Sequence, residues 1–295
     1  MTDNPTPAPL ADELETLFAR KKALSQASWP LPPRPRIFTI SNQKGGVGKT
    51  TTAVNLAAAL SQNGAKVLVV DLDPQGNAST ALGVNHQSHI AGTYEVLIGT
   101  HSIAQVVQKS SDNRELSCVP ATINLAGAEI ELVGLEHREF RLRQALVDFL
   151  GGPDGAGYHY VFIDCPPSLG LLTLNAFVGA SEVLIPIQCE YYALEGLSQL
   201  LGTIEMIRDN LNPRLAVSTI LLTMFDQRTN LAQQVAEDVQ QHFPDTVLKA
   251  LVPRSVRVSE APSFGQTVVA YDPSSPGAIA YAEAALEIAQ RGGPA

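Results

Sequence analysis

The residues best suited to chemistry lie in one run, SNQKGGVGKTT, at positions 41–51. Gly45, Gly46 and Gly48 let backbone N–H groups turn inward around phosphate oxygens without Cβ clashes. Lys49 can reach β- and γ-phosphate oxygens, and the Thr50 hydroxyl can ligate Mg²⁺. The generic G-x-x-x-x-G-K-[ST] spacing asks for glycine at position 43. This chain has Gln43 there, followed by a second lysine, Lys44. Taken alone, Lys44 is either a solvated charge beside the loop or a second cation aimed at phosphate.

Carboxylates appear at two further places. VLVVDLDPQGNAST carries Asp71 and Asp73 at the end of a β-branched run. Strand alternation puts both on one side, near the C-terminal edge where ligands sit in open α/β sheets. Asp73 precedes Pro74, so its residue type alone leaves a turn role open. YVFIDCPPS is an apolar run ending in Asp164, a carboxylate that could hold Mg²⁺ directly or through water. Pro166 and Pro167 then interrupt regular structure.

Short β-branched runs must position these groups. They fall at 37–41, 66–71, 160–164, 182–187 and 216–223, with helix-like stretches between them. In TTAVNLAAALSQNG, Ala53, Leu56, Ala57 and Leu60 share a face, and Gly64 is a plausible stop. Continuously apolar strands separated by helices predict an α/β fold, a mostly parallel twisted sheet with helices on both faces, of P-loop NTPase architecture. A single domain is expected over residues 36–291, with a tail at 292–295. Residues 1–35 differ: the proline-rich pieces TPAP and WPLPPRPR flank LADELETLFARKKAL. There Leu10, Leu14, Leu17, Phe18 and Leu24 fall near one face of a possible short amphipathic helix. Such a helix docks on its own domain, frays, or binds a partner.

Composition narrows the class. The 295 residues are 45% hydrophobic and 17% charged, as expected for a globular chain with a substantial core. No apolar run approaches the roughly 20 residues that span a bilayer. The opening residues lack the basic start and apolar block of a secretion signal. Cys118, Cys165 and Cys189 show no C-x-x-C spacing, so neither a disulfide framework nor a zinc site is expected and a reducing cytoplasm is the natural setting. A net charge of −9 argues against a surface basic throughout, but not against a local cluster of arginines.

KGGVGKTT resembles the deviant Walker A loop of the ParA/MinD ATPases. Over residues 36–285, DLDPQGN, DCPPS, VPATINLAGAEIEL, YYALEGLSQL, LLTMFDQRTNLAQQV and VPRSVRVSEAPSFG are similar to the chromosome-partitioning branch, ParA/Soj. The resemblance implies ATP and Mg²⁺ as ligands, with Lys44, Gly45, Gly46, Val47, Gly48, Lys49, Thr50 and Thr51 around the phosphates. It implies that Lys44 reaches across a nucleotide-sandwiched homodimer, that Lys49 acts with it in catalysis, and that Asp73 positions the attacking water. Thr50, Asp71 and Asp164 would form the magnesium shell, and Pro253 and Arg254 would pack around adenine. Arg228 and Arg257 would contribute to sequence-independent binding of double-stranded DNA; as residue types they are equally compatible with solvated or salt-bridged surface. The implied partner is a ParB-like centromere-binding protein and the implied location the cytoplasm, on the nucleoid. A membrane-cycling relative of the MinD type would need a basic C-terminal amphipathic helix. GAIAYAEAALEIAQRGGPA instead carries Glu283, Glu287 and one arginine, Arg291, so membrane binding is not expected. An iron–sulfur ATPase would need bridging cysteines that Cys118 and Cys165 do not provide. Positioning of a cargo other than a chromosome or plasmid stays open.

Overall fold

The strand–loop–helix unit around Lys49 consists of β1 (Arg36–Ile40), a loop, and the helix Lys49–Gln62. The computed structural model of the protein describes residues 10–190 and 193–293. Seven further strands complete one sheet: β2 (Val67–Asp71), β3 (Gln108–Lys109), β4 (Leu116–Val119), β5 (Tyr160–Asp164), β6 (Glu182–Gln188), β7 (Ala216–Phe225) and β8 (Val247–Pro253). Their order is β3-β4-β2-β5-β1-β6-β7-β8. Every pairing is parallel except that of the edge strand β3 with β4. This is the predicted parallel α/β architecture.

The strands read as continuous apolar runs because both faces are covered. On β5, Val161 and Ile163 pack into one core while Tyr160 and Phe162 pack into the other. On β2, Leu68 and Val70 divide from Val67 and Val69 in the same way. Phe38 and Phe162 stack with centroids 5.3 Å apart beneath the helix that follows the loop. Each such fully buried side chain contributes about 1.5–3 kcal/mol, so the floor of the site is a rigid packed layer.

Three strands of the sheet escaped the sequence reading. β3 is only two residues long. β4 is only four residues long, too short to show a period, and β8 (VLKALVP) carries Lys249 and Ala250, residue types depleted in strands. The expected extension helix spans Leu10–Gln26; residues 1–9 of the extension and 294–295 of the tail lie outside the described residues. Its apolar face is barely used, with Leu14 and Phe18 exposed. The helix instead packs on Pro276–Arg291, which turns Tyr281, Ala284 and Ile288 inward and presents Glu283 to it. Among the described residues no helix is long and apolar enough to cross a membrane.

Candidate functional site

Gly46 and Gly48 adopt φ of 77° and 89°, left-handed values that strain any residue with a Cβ, and they curl the chain between β1 and the helix Lys49–Gln62. Two contacts pin this loop to neighbouring strand ends, and a third braces it from within. The Thr223 hydroxyl donates to the Val47 carbonyl at 2.9 Å, and the Asn42 amide donates to the Pro186 carbonyl at 2.9 Å. The Lys44 backbone N–H donates to Asn42 Oδ1 at 3.0 Å. The helix opens with its first N–H groups facing the loop, a ready anion site.

Lys49 is almost fully buried, and its ammonium donates to the Lys44 carbonyl at 3.0 Å. Burial pulls its pKa down, opposed by Asp164, Cys165 and Asp73. It sits in the floor of the loop, held by the Lys44 carbonyl. Lys44 lies on the outer side, its ammonium paired with the Glu190 carboxylate just beyond β6.

The register brings two carboxylates side by side, because Asp71 is paired with Asp164 at the C-terminal ends of β2 and β5, and Asp164 also neighbours Ile40 of β1. Their surroundings differ. Asp71 accepts from the Asp73 N–H at 3.1 Å, and from the Ser79 N–H and hydroxyl at 2.8 and 2.7 Å. Burial nonetheless raises its pKa to about 6. Asp164 has both oxygens buried without a hydrogen-bond partner. Burial, then the charge of Asp71, push its pKa well above the ordinary value, against the nearby Thr50 hydroxyl and Lys49 ammonium. An unpartnered buried carboxylate is costly. A hard cation held by Asp164 and the Thr50 hydroxyl removes that cost, and Mg²⁺ needs only one or two protein ligands beside phosphates and water. The residues present fit that ion.

Asp73 is half-buried past the end of β2, where one oxygen accepts from the Gln75 N–H at 3.0 Å in a local turn. Its position is set by Asp71, which holds its N–H. Pro253 and Arg254 lie across from the loop. Together with Gly48, Thr51, Met224 and Val258 they line a cavity of about 400 Å³. A larger cavity of about 1280 Å³, beside the helix Arg141–Gly151, contains none of these groups.

Arg228 and Arg257 are not in the site but on the segments that follow the neighbouring strands β7 and β8. Arg228 is 83% exposed and forks onto Asp226 at 2.9 and 2.7 Å, which holds that carboxyl down at about 2. Arg257 pairs with Glu260 at 3.1 Å and Asp272 at 3.6 Å. Sequence reasoning passed over Thr223, Ser79, Glu190 and Met224. Met224 has φ of 52°, unusual for a residue with a side chain, at the rim of the 400 Å³ cavity.

A parallel α/β sheet carrying a glycine-rich loop, a buried lysine and strand-end aspartates at its C-terminal edge defines a P-loop nucleotide-binding protein. Residues 35–217 match the AAA domain family. The chain is 53% identical over 260 residues to "Chromosome partitioning protein ParA" of Myxococcus xanthus, covering 88% of this chain and 89% of that protein. It is 50% identical to "Sporulation initiation inhibitor protein Soj" of Bacillus subtilis, covering 87% and 99%. Among solved structures it is similar to a cobyrinic acid a,c-diamide synthase from Mycobacterium smegmatis with bound ATP analogue and magnesium. That likeness has a TM-score of 0.72 and 36% identity, and covers 85% of this chain and 93% of that one. The chain belongs to the ParA/Soj family.

Proposed function

We propose that this protein is a Mg²⁺-dependent ATPase that partitions DNA, its ATP-bound form a sandwich dimer that holds DNA without sequence preference. The observation carrying this reading is the convergence of loop, Lys49 and Asp164 at one sheet edge, in a chain about half identical to partitioning proteins along most of its length. In this reading the backbone from Lys44 to Thr51 cradles the phosphates, Lys49 neutralises the β- and γ-oxygens, and Pro253 and Arg254 close on adenine. Asp164 and Thr50 hold Mg²⁺, which when bound offsets charge between the phosphates. Asp71, expected in the magnesium shell, already accepts from Ser79 and the Asp73 N–H, so in this reading it serves the site by fixing the turn that carries Asp73, and Asp73 orients the attacking water. Lys44 adds a cation at the partner subunit's γ-phosphate, so hydrolysis waits for dimerisation.

Arg228 and Arg257 exchange their carboxylate partners for DNA phosphates. Such contacts are salt-sensitive and indifferent to sequence, and a dimer doubles them. Hydrolysis, stimulated by a ParB-like centromere-binding protein, returns the subunits to the free state. The cargo is a chromosome or plasmid and the location the nucleoid, in the cytoplasm.

The test is binding to duplex DNA with ATP, with ADP and without nucleotide, for the wild type and for Arg228→Ala/Arg257→Ala. ATP-dependent binding lost in the double variant supports the reading. Binding indifferent to nucleotide overturns it.

A further inference from the structure

Among the described residues, the N-terminal extension lines none of the 400 Å³ cavity beside the phosphate loop. Its helix Leu10–Gln26 is divided by charge, with Asp12, Glu13 and Glu15 in the first half and Arg20, Lys21 and Lys22 in the second. Polar contacts dock it. Arg20 forks onto Glu283 at 2.7 and 2.6 Å, and the Lys21 ammonium donates to the Ser274 hydroxyl at 2.7 Å. Phe18 is 70% exposed, so burial of apolar surface does not account for where the helix lies.

These contacts set the helix beside Arg228 and close in the chain to the carboxylate that pairs with Arg257. Thr16, Leu17 and Arg20 form one wall of a groove of about 740 Å³, and Arg228, Lys249 and Arg254 line the other. Asp12, Asp226 and Glu283 also border this groove. On the other flank, the acceptor of Lys21, Ser274, is two residues from Asp272, the carboxylate that pairs with Arg257. Lys21 and Lys22 are exposed. Asp12 lies about 14 Å back along the helix axis from Lys21, farther than a Debye length at physiological salt. The helix dipole favours acidic residues first and basic residues last. It does not dictate that the basic end should dock on Ser274, two residues from the Arg257 partner Asp272.

We propose that the extension helix is part of the DNA-contacting surface, with Lys21 and Lys22 meeting phosphates alongside Arg228 and Arg257. The proposal rests on the DNA binding put forward above. Exposed ammonium groups are strongly hydrated point charges on flexible stems, suited to phosphates met in no fixed register. They also place positive charge locally in a chain whose net charge is −9.

The experiment uses the full chain with ATP and a non-specific duplex between 50 and 200 mM salt. Lys21→Ala/Lys22→Ala is expected to weaken binding about tenfold near physiological salt, and to make the salt dependence shallower by about one unit of log–log slope per lysine removed. ATP turnover without DNA should not change. Arg228→Ala/Arg257→Ala is measured beside it. If the wild type fails to bind DNA with ATP, the DNA reading itself falls and this proposal with it. If the arginine variant loses binding while the lysine variant keeps both affinity and slope, only the role of the helix is overturned. Tighter binding by the lysine variant overturns it as well, making the helix a shield.

Discussion

The Lys44 ammonium is held by the Glu190 carboxylate of the same chain, while the Lys44 carbonyl accepts from the Lys49 ammonium. In the nucleotide-sandwiched dimer proposed above, Lys44 would leave Glu190 for the partner subunit's phosphate. The pair is about half exposed on each side, so it is worth no more than about 1 kcal/mol, or roughly fivefold per lysine. Glu190→Gln should therefore shift ATP-dependent dimerisation to lower ATP concentration by a few-fold, read by light scattering across an ATP titration. Lys44→Ala should still bind ATP as a monomer and lose turnover. An unchanged titration midpoint in Glu190→Gln removes the competition argued here.

Asp73→Ala should separate binding from hydrolysis. The side chain makes one local turn contact and lies outside the buried carboxylate pair, so its removal leaves the loop and Asp164 intact. ATP affinity should stay within a few-fold of wild type while turnover falls by two or more orders of magnitude, within the range for loss of a proton-handling group. The ATP-bound dimer should then persist on DNA. Normal single-turnover hydrolysis would take the water-positioning role away from Asp73.

Asp164→Asn is expected to raise stability and abolish Mg²⁺-dependent turnover together. Both oxygens of Asp164 are buried and unpartnered, and burial opposes ionisation of the carboxyl. Above the ordinary carboxylate pKa the unfolded chain ionises Asp164 freely while burial resists it in the folded state, so a neutral isostere relieves about 1–3 kcal/mol, seen as a higher Tm for the nucleotide-free protein. With Mg²⁺ and ATP present the order should reverse, because only the wild type gains from the ion. A lower Tm in the nucleotide-free variant would mean that Asp164 is already satisfied.

How much of this was legible in the sequence depends on distance along the chain. β1, the loop and its helix form one continuous segment whose glycines, lysine and apolar period carry their own instructions. The strand-end aspartates were also readable, since a β-branched run ending in a carboxylate needs no knowledge of its neighbours. Their division of labour was not. Asp71 is engaged because Ser79 folds back onto it, and Asp164 is buried because β5 inserts between β1 and β2. Glu190 lies 146 positions from Lys44, and no spacing rule links them. The docked position of the extension helix depends on Glu283, near the other end of the chain.

The three thiols should be inert in the native protein. Burial pushes Cys165 up to about 12 and Cys189 to about 11, and holds Cys118 well above its ordinary value. Cys165 follows Asp164 in the chain, and its thiol contacts the Thr39 hydroxyl at 3.1 Å and the Ile163 carbonyl at 3.9 Å. At pH 8 the thiolate fraction at Cys165 and Cys189 is about one part in a thousand or less. Iodoacetamide should label none of the three until denaturant is added, and alkylation should accelerate only as pH rises toward 11. Fast native labelling of Cys165 would reveal an opened site.

The strongest structural test concerns Arg36, which opens β1 and ties it to two distant elements. Its guanidinium forks onto Glu182 of β6 at 2.8 and 2.6 Å and donates to the Ile288 carbonyl of the C-terminal helix at 2.6 Å. It also lies 4.7 Å from the centre of the Phe38 ring. Both charged groups are buried. Arg36→Ala leaves Glu182 charged and alone, at a cost of about 3–5 kcal/mol, whereas Arg36→Met/Glu182→Leu replaces the pair with apolar volume and should recover most of it. Denaturant midpoints of the three proteins decide the matter. Since β1 carries the phosphate loop, the single variant should also bind ATP more weakly and the double variant nearly normally. Equal losses in both would show that the Ile288 contact, not the ion pair, holds β1 in place.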